Sequence, residues 1–110
     1  MIVRIFTILA LSALLLPARQ AVQEATVSQF STLPDAVRKD LRMRGCTVPQ
    51  PPGSKKLANL IRGHFRDTQH VDWAVVCDVR KTDTSMLLVY WNSNFSRPAL
   101  LNKSKLSDGY

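Results

Sequence analysis

Residues Asn59 to Trp91, NLIRGHFRDTQHVDWAVVCDVRKTDTSMLLVYW, hold both tryptophans, both histidines, one of the two cysteines and the densest β-branched run of the 110-residue chain. Within it, Val71 to Val79 alternates: Val71, Trp73, Val75, Cys77 and Val79 share one parity, and Asp72, Ala74, Val76 and Asp78 the other. A period of two places such a run at the centre of a sheet with one apolar face. Met86 to Trp91 is a continuous apolar strand. Leu57 to Arg66 is a third strand, with Leu57, Ile61 and Phe65 on one parity. Asp67 to Gln69 and Lys81 to Ser85 supply the turns between them.

Parity selects a register for the first pair. With Phe65 opposite Val71, Ile61 meets Val75 and Asn59 meets Cys77, which gathers the apolar positions on one face. A slip by one residue turns Ile61 and Phe65 to the other side. The same register sets His64 opposite Asp72 on the outer face, among Arg62 and Arg66. An imidazole beside a carboxylate suits acid-base work, which makes His64 and Asp72 the candidate catalytic pair. Neither a serine elbow nor a glycine-rich phosphate loop accompanies them. His70, Asp67 and Asp72 offer donors for zinc or copper, but in no established ligand spacing, so neither a metal nor any other cofactor is expected. The outer row Arg62, His64, Arg66 and Asp72 is the candidate binding surface, with Tyr90 or Trp91 adding an aromatic ring.

Upstream, STLPDAVRKDLRMRGC carries a helix from about Leu33 to Arg44, buried along Leu33, Val37 and Leu41. Thr32 and Asp35 have capping-box spacing, Pro34 fits the first turn, and Gly45 is the left-handed stop. Cys46 follows at once. It has only Cys77 as a partner, and an even cysteine count in a short exported chain reads as a disulfide. TVPQPPGSKK, with three prolines, reads as an extended connector rather than a strand. Phe95 to Leu101, interrupted by Pro98, reads as a short edge strand.

The first residues, MIVRIFTILALSALLLPARQA, place one arginine before an apolar run and then proline and small residues, the layout of a secretory signal peptide. The run Ile5 to Leu16 reaches about 18 Å as a helix, short of the roughly 30 Å hydrocarbon core. The chain therefore divides into a signal peptide at 1–21, cleaved somewhere in 18–25, a polar tether at 22–31, an α+β domain at 32–103 and a frayed tail at 104–110. The whole chain has 15 basic and 8 acidic residues and a net charge of +7; removing Arg4 and Arg19 leaves +5. A basic exported domain without a nucleic-acid motif points to a protein or an anionic surface as partner, with no specific nucleic acid and no membrane span after signal removal.

Gly63 to Val76, GHFRDTQHVDWAVV, resembles the blade motif of FG-GAP, or integrin-type, β-propeller repeats at Gly63, Phe65, Asp72 and Ala74-Val75. That family binds calcium through loop carboxylates. Here His64, Arg66 and Thr68 stand at the first three ligand positions and only Asp72 is acidic, so the resemblance implies hairpin geometry without calcium. The longer pattern LPDAVRKDL…RGCTVPQ…NLIRGHF…DWAVVC…LLVYW resembles small exported bacterial proteins of unknown function.

These features together predict an α+β fold, with one N-terminal helix packed on a three- to five-stranded antiparallel sheet and tied by Cys46–Cys77. The predicted location is secreted or periplasmic. The predicted function is non-catalytic binding or interaction. The alternative is a small extracytoplasmic hydrolase or metal-dependent enzyme using His64, His70 and Asp72.

Overall fold

The computed structural model describes residues 22–109; the signal-peptide reading of 1–21 lies outside them. Strand β1 (Gln23–Thr26) comes first, then a 3-10 turn at Val27–Gln29 and helix α1 (Asp35–Arg44). Strands β2 (Thr47–Gln50), β3 (Leu60–Gly63), β4 (Asp72–Val79), β5 (Thr84–Tyr90) and β6 (Ala99–Lys105) follow, with a last 3-10 turn at Leu106–Asp108. All pairings are antiparallel, in the order β1-β2-β4-β5-β6, with β3 also on β4.

The fold expectation therefore needs correction. Among the described residues the sheet has six strands rather than three to five and dominates; the α-helix there is ten residues long and is preceded by a strand. Two segments account for the difference. The polar stretch around Glu24 forms β1, and the proline-rich connector begins as β2, with Ala25 and Val48 paired and both buried. Pro49 is tolerated because β2 meets β4 only at Thr47↔Asp78; by Pro49 no β4 ladder demands an N–H. The Pro49 carbonyl instead accepts a bond from Asn59 Nδ2 at 2.6 Å. At the other end, β6 runs on to Lys105 through residues that read as tail.

Helix α1 forms where its apolar spacing and stop signal place it. Val37 and Leu41 are fully buried, and Leu33 just ahead of the helix is buried too. Gly45 takes the left-handed conformation at φ 76°, and its N–H and that of Cys46 close on helix carbonyls. The N-terminus differs from the capping-box expectation: Pro34 is the cap residue and no side chain caps the helix. Arg38 secures that end instead, bonding Asp35 and the carbonyls of Leu33, Phe30 and Ser31. The helix joins a single apolar cluster with Trp73, Val75, Cys77, Leu88 and Tyr90 from one sheet face. The Cys46–Cys77 disulfide bolts its C-terminus to β4.

One edge of β4 is shared. Strand β3 lies beside Asp72 to Val75 and β2 beside Asp78, and between them the Asn59 carbonyl takes the Val76 N–H at 3.0 Å. Asn59 has φ 64°, a left-handed kink that shifts the parity of the strand it introduces. Gln50 closes the loop between β2 and β3. Its amide accepts from Ala58 N at 2.6 Å and donates to Ala58 O at 2.9 Å, copying a backbone pairing with a side chain.

The register of β3 is the one-residue slip rather than the pairing that parity favours: Leu60↔Val75, Ile61↔Ala74, Arg62↔Trp73 and Gly63↔Asp72. The Asn59 kink makes Leu60 the inward residue, so Ile61 and Phe65 end up exposed. A loop of eight residues, 64–71, replaces the expected five-residue turn.

Candidate functional site

The side of β4 away from the helix carries Asp72, Ala74, Val76 and Asp78. Its neighbours in register are Ile61 and Gly63 of β3, and Ser85, Leu87 and Val89 of β5. At the Asp72 end the loop folds over this face. The Phe65 ring lies on Gly63 so closely that a Cβ there would meet Phe65 Cε1 at 2.6 Å, which explains a glycine opposite Asp72. Arg66 comes next, with its guanidinium 5.5 Å from the Trp91 ring centroid, 3.8 Å from Asp72 Oδ1 and donating to Ser93 Oγ at 3.1 Å.

Asp72 is fully buried. Its Oδ1 accepts the Asn92 N–H at 2.8 Å, whereas its Oδ2 has no hydrogen-bond partner. A buried carboxylate in this position depends on the Arg66 cation beside it. Arg66 thus acts as the cover of Asp72 and the stacking partner of Trp91 at once.

The predicted row separates. Gly63, not His64, faces Asp72, because the register is shifted by one residue. His64 Nδ1 bonds the His70 carbonyl at 2.9 Å, across the loop. The His70 ring turns to Asp67 at 2.9 Å, and Asp67 also accepts the N–H groups of Gln69 and His70. These bonds, the His70 ring first, hold the Asp67 carboxyl below its usual value. The histidines therefore shape the loop, and His64, His70 and Asp72 do not converge on one point. Among the described residues no three His, Cys, Asp or Glu side chains gather as metal ligands. Arg62, paired with Trp73, lies on the helix side, opposite Arg66 and Asp72. Tyr90 is buried there as well; its hydroxyl donates to Asp40 at 2.6 Å, and burial pushes its ionisation well up. Trp91 is the ring that remains with Arg66.

A second acidic group, at the Asp78 end, was hidden in the sequence. Asp78 is fully buried and accepts from Ser85 Oγ at 2.7 Å. Glu24 reaches the same spot from β1, taking the Thr47 hydroxyl at 2.8 Å, with Arg80 at 3.5 Å. Burial, followed by a hydrogen bond with Asp78, raises the Glu24 carboxyl above its ordinary value. The signal available in advance was Asp78 itself, with Asp72 one of two acids in an otherwise apolar strand; its partner sat in a segment read as a tether.

No protein family, curated protein or solved structure matches the chain.

Proposed function

We propose that the mature protein is a non-catalytic binding module of an extracytoplasmic compartment, working through the sheet face that α1 leaves bare. The observation that carries this reading is the apolar surface on that face. Ile61 is 59% exposed and Phe65 43%, beside half-buried Ala74, Val76 and Leu87. Side chains of this size, close together on one sheet face and its covering loop and flanked by a stacked arginine and tryptophan, are the composition of an interface core. The basic balance of the domain favours an acidic partner surface at the rim.

The compartment rests on two features. A disulfide closes the core, as in oxidising compartments, and among the described residues no helix is long and apolar enough to cross a membrane. The histidines support binding rather than catalysis, since each already holds the loop in shape.

The test replaces Ile61 and Leu87 with lysine together. The variant keeps its circular dichroism and melting temperature, because both side chains sit on the face away from the core, but no longer retains proteins captured by the native domain. Capture unchanged in the folded variant sinks the proposal.

A further inference from the structure

On the opposite, helix-covered side, two clefts of about 340 and 430 Å³ meet at Thr32, Arg62 and Trp73. Phe30, Leu57 and Leu60 wall one; Val71, Asn92 and Phe95 wall the other. Each is in the size range of small-ligand sites, and each combines apolar rings with a few polar groups. The wall formed by Phe30 to Leu33 is not loose, because Arg38 ties three of its carbonyls to the helix.

An unpaired cation between aromatic walls marks this place. Arg38, Arg44, Arg66 and Arg80 each face a carboxylate. Among the described residues Arg42, Arg62 and Arg97 do not; of these, Arg62 lines clefts walled by Trp73, Phe30 and Phe95, and no acid lines either cleft. Arg62 lines both clefts beside its register partner Trp73, a tryptophan that is almost wholly buried. A planar guanidinium with five donors matches an oxyanion held by two parallel bonds, and a low-polarity wall strengthens those bonds.

We infer that the Arg62 cleft binds a small organic carboxylate: a single negative charge on an apolar, preferably aromatic, body. One cation balances one charge, whereas a phosphate dianion would leave charge uncompensated between Trp73, Phe30 and Phe95. The body lies along Trp73 and one of the flanking phenylalanines. The carboxylate is that of a free acid or of a peptide C-terminus, since the two present the same group. This site is on the other side of the sheet from the proposed interaction face and does not depend on it.

The experiment follows the indole N–H signals of the oxidised, 15N-labelled protein, with Trp91 as the internal reference. Three probes are titrated: 3-phenylpropionate, its primary amide, and a blocked dipeptide ending in phenylalanine with a free carboxylate. The Trp73 signal shifts saturably with at least one carboxylate while Trp91 stays in place, and the tighter carboxylate identifies the source. The amide binds about tenfold more weakly or worse, and so does the Arg62→Gln protein, whose dispersed spectrum shows it folded. Arg62→Lys recovers part of the loss, and the Ile61→Lys/Leu87→Lys protein binds as the native one does. Equal affinity of the amide, equal affinity of Arg62→Gln, the same Trp73 shift with inorganic phosphate, or no saturable shift with either carboxylate overturns the inference.

Discussion

At one end of β4, Asp78 sits beside a disulfide, between two hydroxyl groups and a second carboxyl; at the other, Asp72 sits beneath a single arginine on a loop. Both aspartates are fully buried and both project from the same face of one strand. The first end is held by a disulfide to the residue just after the α1 stop and by β2 and β5 on its two sides, with β1 beyond β2. The second is held by contacts of exposed side chains: Arg66 on Trp91, His70 on Asp67, His64 on a carbonyl. The comparison separates a fixed end from an adaptable one. Local stability follows such differences in cross-linking and burial, and binding surfaces are drawn from the less constrained part.

The largest break to that contrast is removal of the bridge. Cys46→Ser with Cys77→Ser opens a closure spanning 31 residues and is expected to cost roughly 3.5 to 4 kcal/mol on the chain-entropy account, read from urea unfolding. Arg66→Met comes next. It leaves the Asp72 carboxylate buried without its cation, for a loss of about 1 to 2 kcal/mol given the long 3.8 Å separation and partial exposure. Asp72→Asn costs less than Arg66→Met, because it removes the buried charge instead of stranding it. The reverse order in thermal melts would mean that Arg66 does not cover Asp72.

The acid pair at the fixed end responds to pH. The folded-state value of Glu24 is above its ordinary 4.5, so the folded protein holds the proton more tightly than the unfolded chain. The stabilisation is fully present below that ordinary value and is lost as pH rises through the folded one. Melting temperature is therefore expected to fall across this window in the native protein, with a smaller fall in Glu24→Gln; identical profiles contradict the pairing. At the adaptable end the sign is opposite. Asp67 is depressed, so its contribution is present above 3.8 and disappears as pH falls through the lower folded value. Asp67→Ala is the mildest of these changes: faster hydrogen exchange at the Gln69 and His70 amides, with the melting temperature unmoved.

The elements that were legible in the sequence are those whose signals are local. Val37 and Leu41 at helical spacing, Gly45 as the stop, and the alternation of Val71 to Val79 all reflect periodicity, and the two cysteines had one pairing. Strand β2 was masked because a proline argues against a strand unless its N–H is not needed, and that depends on where β2 leaves β4. The register of β3 was masked by Asn59, whose left-handed backbone is fixed by a side-chain bond to Pro49, ten residues earlier in the chain. That single residue moved Arg62 to the helix side and put His64 into the loop. Glu24 and Asp78 were invisible as a pair for the same reason: 54 positions separate them, and only the sheet brings them together.

The Gln50 clamp on Ala58 also makes the segment from Pro51 to Leu57 a pendant: its two stems are joined by hydrogen bonds, and its residues are mostly exposed. A pendant of this kind is a natural docking port for engineering. Foreign peptides displayed between Pro52 and Lys55 would be carried by the scaffold, provided the glutamine that pinches the stems together is kept.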